Sequence, residues 1–427
     1  MDEKKIKICL LSDSPTHTTG NAKVAREMMK GLSDKGYDMY SMAVGYGDLP
    51  EKDMGHYKLL PIQHENYSEN SVAMFLSKVS QYIERDKYDY LIVLGDEIYY
   101  TYLGLGNLDK EFLNKCGTKI IPWITVDSNM RLCMESAYKH PSNPKLMLYS
   151  PASHIVSASH YGKNVLENDF LKVDKVIWPH VDTETFAPVT KEEKIKLRKK
   201  YRFGKDDFIF LTVARNTRRK NNELAIESVY QLMIDNPHIR WFGIIPGYNE
   251  SDENNLIDFV KNKLAFKYGG RDLISEKRIL FANTNKKALK LATSQITDEE
   301  IIEFYKLSDV TISGSSNEGF GSSYVESIAV GNPFVTLNHT TIPELTDDGK
   351  YALVADAVME ICVGQGIMVN CTSLERMAEQ TKIAYNLCKS SKFEEYKKGI
   401  VNHAKKFDVK RMIREWDEYI EHLEVKH

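Results

Sequence analysis

The chain reads as an α/β protein of two doubly wound domains, and three observations lead there. Short apolar runs rich in β-branched residues alternate with helical patterns, the mark of βαβ units and parallel sheets. At 427 residues the chain exceeds what one hydrophobic core organises. A composition of 42% hydrophobic and 27% charged residues is that of a globular chain able to fill two cores.

In the first half, strands are expected at 6–11, 90–94, 119–124, 155–157 and 175–178, and in the second at 208–213, 241–245, 279–281, 310–313 and 334–337. The join falls near 179–188, which divides the chain into residues 1–188, 189–407 and a terminal helix, 408–427. The run 191–200 reads as a charged, solvated helix. Thr297-Asp-Glu-Glu300 and Thr372-Ser-Leu-Glu375 have the capping-box form and mark two helix starts. Val409, Met412, Ile413, Trp416, Tyr419, Ile420 and Leu423 recur at helical spacing, so the last helix docks by an apolar face.

A net charge of −3 gives no global pull toward nucleic acid or anionic lipid. The six cysteines, Cys9, Cys116, Cys133, Cys362, Cys371 and Cys388, are scattered without a CxxC pair, as reduced thiols in a cytosol would be. The charged N-terminus runs straight into a strand, and nowhere do 18 apolar residues follow one another. Neither a secretory signal nor a spanning helix is therefore expected, while peripheral contact at the cytosolic membrane face stays open. No Asp-x-Asp triplet occurs and the histidines lack zinc-ligand spacing, so neither a metal nor another cofactor is expected.

Three segments carry chemistry. The first strand ends in Ser12-Asp-Ser-Pro-Thr-His-Thr-Thr-Gly-Asn21, followed by a helix whose apolar face is Val24, Ala25, Met28, Met29 and Leu32. Free amides and the helix dipole point at the turn containing Gly20, which suits an anion, although a plain connecting loop fits the same residues. His17 lies in that turn and could reach an acceptor. The GxGxxG fingerprint is absent, which leaves a nicotinamide oxidoreductase poorly supported.

The second segment, Phe208-Ile-Phe-Leu-Thr-Val-Ala-Arg-Asn-Thr-Arg-Arg-Lys-Asn221, places Arg215, Arg218, Arg219 and Lys220 at the carboxyl end of a strand, where open α/β sheets bind ligands. A diphosphate clamp and a solvent-facing turn are both open from these residues alone. The third, Glu318-Gly-Phe-Gly-Ser-Ser-Tyr-Val-Glu326, brackets glycine-spaced amides with two carboxylates. Ser322 and Ser323 are N-cap candidates for the following helix, whose amides would face phosphate. Carboxylates beside such a site suit sugar hydroxyls, since charge-assisted hydrogen bonds are the stronger kind.

In this order the three segments resemble the GT4 glycosyltransferases, retaining enzymes of GT-B fold with two Rossmann-like domains facing across a cleft. Ala329, Gly331 and Pro333, then Pro343-Glu-Leu and Asp348-Gly349, extend the match, as do Trp178-Pro-His-Val-Asp and Ser157-Ala-Ser-His-Tyr161. The resemblance implies a hexosyl transfer from a nucleoside diphosphate sugar such as a UDP- or GDP-sugar. The acceptor hydroxyl could belong to a glycan, lipid, protein, small molecule or modified DNA. It further implies that Glu326 holds the ribose, Glu318 contacts the donor sugar, and Arg215 and Lys220 grip the diphosphate. Amides around Gly319, Phe320, Gly321, Ser322 and Ser323 would face the sugar and phosphates, and Gly20 would let the first domain approach the distal phosphate.

The chain departs from the family pattern at Ala214, at Gly314-Ser315, and at Asp127, where many relatives carry a histidine facing the transferred sugar. A nucleotide-sugar epimerase of the same fold and a catalytically silent sugar-nucleotide-binding protein are the alternatives.

Overall fold

A computed structural model describes residues 5–46, 49–62, 69–96, 105–128, 149–245, 255–282, 296–363 and 367–425. The chain divides into two compact units. One comprises residues 1–180 and 409–427, the other 181–363 and 368–408. Residues 181–188, in the stretch expected as the join, belong to the second unit, where the Val181 amide donates to the Phe407 carbonyl at 2.8 Å and Thr183 bonds the Asp408 carboxylate.

The first unit is built on an eight-stranded sheet: β1 (Lys7–Asp13), β2 (Asp38–Val44), β3 (Lys52–Asp53), β4 (Lys58–Ile62), β5 (Tyr90–Asp96), β6 (Lys119–Thr125), β7 (Val156–Ser157) and β8 (Lys175–Val176). Their spatial order is β3-β4-β2-β1-β5-β6-β7-β8, parallel except where β3 meets β4. Alternate residues of β1 serve two cores. Ile8 and Leu10 join one cluster, and Cys9 and Leu11 the other, as a strand covered on both faces requires.

Helix α1 (Gly20–Asp34) buries Ala22, Val24, Ala25, Met28, Met29 and Leu32 over one of these faces. The C-terminal helix α2 (Val409–Val425) packs beside it, burying Met412, Trp416, Tyr419, Ile420 and Leu423. Trp416 meets Trp123 of β6 edge-on at 5.2 Å. Gly31 of α1 makes room for Ile413, whose Cδ1 would lie 2.1 Å from a β-carbon placed there. Asp417 accepts from Tyr37 at 3.0 Å and pairs with Lys35 at 2.8 Å. Truncating Trp416 to alanine would remove about 3–5 kcal/mol.

The second unit holds β9 (Phe208–Val213), β10 (Ile239–Ile244), β11 (Ile279–Phe281), β12 (Val310–Ile312), β13 (Phe334–Leu337) and β14 (Leu353–Ala355). They form a parallel sheet ordered β11-β10-β9-β12-β13-β14. Numbered from β9, this is the order 3-2-1-4-5-6 of a Rossmann sheet, and it reverses between β9 and β12. Strands β15 (Met359–Val363) and β16 (Ile367–Cys371) make a separate small sheet.

The charged run at 191–200 is a helix, Lys191–Lys200, opened by a capping box of Thr190 and Glu193. It is not wholly solvated. Lys194 and Arg198 reach Asp309 at 2.7 and 2.6 Å, and Asp309 also accepts from the Ile209 amide, which ties the helix to the sheet. The Thr297 capping box is present. At the other expected box, Ser373 is the N-cap, and the Thr372 hydroxyl donates instead to the Asp356 carbonyl at 2.7 Å. Cys9, Cys116, Cys371 and Cys388 are free thiols, while the side chains of Cys133 and Cys362 lie outside the described residues. Among the described residues, no helix is long and apolar enough to cross a membrane.

Candidate functional site

Topology puts the second and third chemical segments side by side. The loop after β9 carries Arg215 and Lys220, the loop after β12 carries Glu318, and these two strands flank the point where strand order reverses. In open α/β sheets, ligands bind outside the carboxyl ends of strands at this place.

Close backbone packing joins the loops. A β-carbon on Gly314 would lie 2.1 Å from the Asn221 carbonyl oxygen, so only glycine permits the approach. Asn221 itself adopts the left-handed conformation at φ 40° and caps the next helix through the Leu224 amide. The Ser316 amide donates to the Arg219 carbonyl at 2.8 Å, which completes the seam.

Glu318 sits at the centre. Its carboxylate accepts from Lys220 Nζ at 2.5 Å and Ser315 Oγ at 2.7 Å, and Arg219 Nη1 lies 3.4 Å away. Burial alone would push this carboxyl up. The Lys220 and Arg219 cations, with the Lys220 and Ser315 hydrogen bonds, outweigh that and hold it well below the usual carboxylate range. Glu318 is therefore an ionised acceptor. Its backbone is held too: the amide donates to Thr340 Oγ1 at 3.0 Å, and the carbonyl accepts from the hydroxyls of Thr340 at 2.7 Å and Thr341 at 3.2 Å.

The helix that follows, α3 (Ser322–Ala329), corrects one expectation. Its N-cap is Gly321, at φ 101° and ψ 54°, and no side chain caps the first turn. Ser322 and Ser323 are the first helical residues. Turning sharply from Phe320 into the helix demands the left-handed conformation, which glycine adopts without strain. The consequence is an N-terminus whose amides no N-cap side chain satisfies. Phe320 is buried against Phe407, and its carbonyl accepts from Thr341 at 3.1 Å. Glu326 is buried within α3 at 8% exposure, and burial with its carboxylate pushes the Tyr305 hydroxyl up.

The two clamp candidates differ. Lys220 is committed to Glu318, whereas Arg215 is exposed and forms no ion pair with another described residue. In the first unit, Gly20 is the first residue of α1, exposed and outside the left-handed region. Thr19 caps that helix through the Ala22 amide, and its hydroxyl donates to Asp13 at 2.6 Å. His17 lies exposed in the same loop. Asp127, two residues past the end of β6, is half-buried, also in the first unit. Among the described residues, no three His, Cys, Asp or Glu side chains gather as metal ligands would.

Sequence reading missed Thr340, Thr341 and His339, noted Ser315 only as a departure from the family pattern, and placed Arg219 only in the basic cluster open to a diphosphate. His339 is 4% exposed, with Nδ1 3.0 Å from Thr340 Oγ1. Burial pushes it down to about 3, with Lys220 and Arg219 adding to the effect against the pull of Glu318.

Residues 193–380 match the family described as glycosyl transferases group 1. Mannosylfructose-phosphate synthase of Agrobacterium fabrum (strain C58 / ATCC 33970) is 23% identical over 227 residues, 52% of this chain but only 46% of that protein. Sucrose-phosphate synthase of Thermosynechococcus elongatus superposes with a TM-score of 0.73 at 14% identity, covering 99% of this chain and 100% of that one. HepE of Anabaena, solved in complex with UDP and glucose, gives a TM-score of 0.66 at 14% identity, over 97% of this chain and 99% of its own. Residues 193–380 thus carry the pattern of the group 1 glycosyl transferases, and the chain as a whole shares the GT-B fold of these solved structures.

Proposed function

We propose that the protein is a retaining hexosyltransferase that moves a sugar from a nucleoside diphosphate to an acceptor hydroxyl. The observation that carries this reading is the juxtaposition, at the strand-order reversal, of an α3 N-terminus without a side-chain cap and the ionised Glu318 held by Lys220.

The diphosphate lies against the amides at Gly321, Ser322 and Ser323, with exposed Arg215 as its cation. Gly20, with no side chain, admits the distal phosphate from the first unit. Cleavage of the glycosidic bond leaves negative charge on the diphosphate, and fixed cations and amides there lower the barrier. Glu318 accepts hydrogen bonds from the sugar hydroxyls and its charge favours the cationic sugar. Because Lys220 and Arg219 keep it ionised, it does not serve as a proton donor. Glu326 accepts from the ribose. Asp127 is assigned to the transferred sugar and His17 to the acceptor side. Arg215 and the amides of α3, with Lys220 close by, neutralise the leaving diphosphate without a divalent cation, and chelation should leave the rate unchanged. Free thiols suit a reducing cytoplasm.

UDP-glucose is the first donor to try, since HepE has been solved with UDP and glucose and with UDP-glucose. The test incubates the protein with UDP-glucose or GDP-mannose, with and without sugar acceptors. Slow release of the free nucleotide, faster with an acceptor and giving a product of unchanged anomeric configuration, supports the reading. An altered donor sugar without any acceptor would instead identify an epimerase.

A further inference from the structure

The residues His339-Thr340-Thr341 lie 21 to 23 positions beyond Glu318 in sequence, yet they close around its backbone. Thr340 Oγ1 is 3.0 Å from the Glu318 amide nitrogen and 2.7 Å from the Glu318 carbonyl oxygen. A threonine hydroxyl has one proton. A backbone amide can only donate and a carbonyl only accept, so the hydroxyl accepts from the amide and gives its proton to the carbonyl, its shortest contact.

His339 Nδ1, 3.0 Å from the same oxygen, must then be the donor, which fixes the neutral ring with its proton on Nδ1. That leaves Nε2 as a bare acceptor, buried and without a hydrogen-bond partner among the described residues. A buried unpartnered nitrogen costs stability, and so does keeping a histidine neutral against the solvent. The fold gains no compensating contact at Nε2. What the ring does supply is a second donor to the Thr340 oxygen, which leaves the Glu318 carbonyl as the acceptor of the hydroxyl proton.

Deepening the transferase reading and resting on it, we infer that Thr340 is a positioning residue for Glu318, and that His339 sets the direction of its hydroxyl. The pair fixes the peptide of Glu318 while Lys220 and Ser315 fix its carboxylate, so the acceptor oxygens meet the sugar in one geometry. Positioning of this kind acts on turnover more than on nucleotide affinity.

The experiment first titrates wild type with UDP and GDP by calorimetry. It then measures donor turnover with the matching UDP-glucose or GDP-mannose for Thr340→Val, Thr340→Ser, His339→Leu and His339→Asn. Thr340→Val should lower kcat by roughly 10- to 100-fold, with the nucleotide Kd within about twofold of wild type. Thr340→Ser, which keeps the hydroxyl, should recover most of that loss. His339→Leu should fall with Thr340→Val, and His339→Asn, whose amide can take the place of Nδ1, should recover. If Thr340→Val does not fold, Thr340→Ala is read in its place. Undiminished kcat without the hydroxyl, or a loss of nucleotide affinity parallel to kcat, overturns the proposal. Failure of wild type to bind either nucleotide overturns the transferase reading itself, and this inference with it.

Discussion

Both units place a loop and a helix N-terminus after a strand beside the reversal of their sheet, yet the two turns are built to opposite electrical ends. In the first unit, Thr19 caps α1, and the Asp13 carboxylate hydrogen-bonds the capping hydroxyl. The first turn is thus partly satisfied from within and has an anion nearby. In the second unit, Gly321 opens α3 with no side-chain cap, and Arg215, Arg219 and Lys220 lie on the adjoining loop. Topology supplies a place for a ligand twice. Capping and charge differ between the two turns, and they make the second unit's turn the more favourable to an anion.

The largest expected effect comes from removing the charge that balances Glu318. Lys220→Ala leaves a carboxylate of 14% side-chain exposure with Arg219, 3.4 Å away, as its remaining cation beside the Ser315 hydroxyl. Breaking a buried pair in this way should cost about 3 kcal/mol in chemical denaturation and at least a hundredfold in donor turnover. Arg215→Ala should separate the two quantities. Its side chain is exposed and has no ion pair with another described residue, so stability should stay within about 0.5 kcal/mol while turnover falls roughly a hundredfold. Equal losses of stability for both variants would erase the distinction between a structural and a ligand-facing cation.

A smaller effect follows from His339. In the unfolded chain it protonates near 6.5, but in the fold only near 3. Above about pH 7 it is neutral in both states and has no effect. As pH falls below 6.5 the unfolded chain takes up a proton that the fold refuses, so stability drops, by about 2 kcal/mol at pH 5. His339→Asn should flatten this acid limb relative to wild type in denaturation curves from pH 7 to pH 5, while His238 and His403, also held low by burial, keep their share. Parallel curves would show that the imidazole is not the group excluded from protonation.

Much of the fold was legible because β-branched runs such as Phe208–Val213 and the apolar face of the terminal helix have one physical reading. Strands β2 and β4 were missed. Their sequences, Asp-Met-Tyr-Ser-Met-Ala-Val and Lys-Leu-Leu-Pro-Ile, mix methionine, polar residues and proline, so only pairing with β1 and with each other makes them strands. In the site, Glu318, Lys220 and Arg215 stood out by type and place. Sequence could not tell Lys220 from Arg215, because the difference is which one lies against Glu318. Nor could it find Thr340 and Thr341, whose hydroxyls act on a peptide more than twenty residues away and resemble any polar loop. Serines at 322 and 323 suggested a side-chain cap, but the left-handed turn at Gly321 overrode that preference.

The most direct test of the second unit's role is a calorimetric titration of UDP and GDP into three proteins: wild type, Gly321→Ala and Gly20→Ala. A β-carbon at position 321 meets both the left-handed φ and Leu345 Cδ1 at 3.3 Å, and should displace the α3 amides. Gly20 already has an ordinary backbone conformation. Affinity should fall at least tenfold for Gly321→Ala and by no more than about threefold for Gly20→Ala, a gap of roughly 0.7 kcal/mol or more. The reverse order, or nucleotide binding indifferent to Gly321→Ala, would contradict the assignment of the phosphate to the N-terminus of α3.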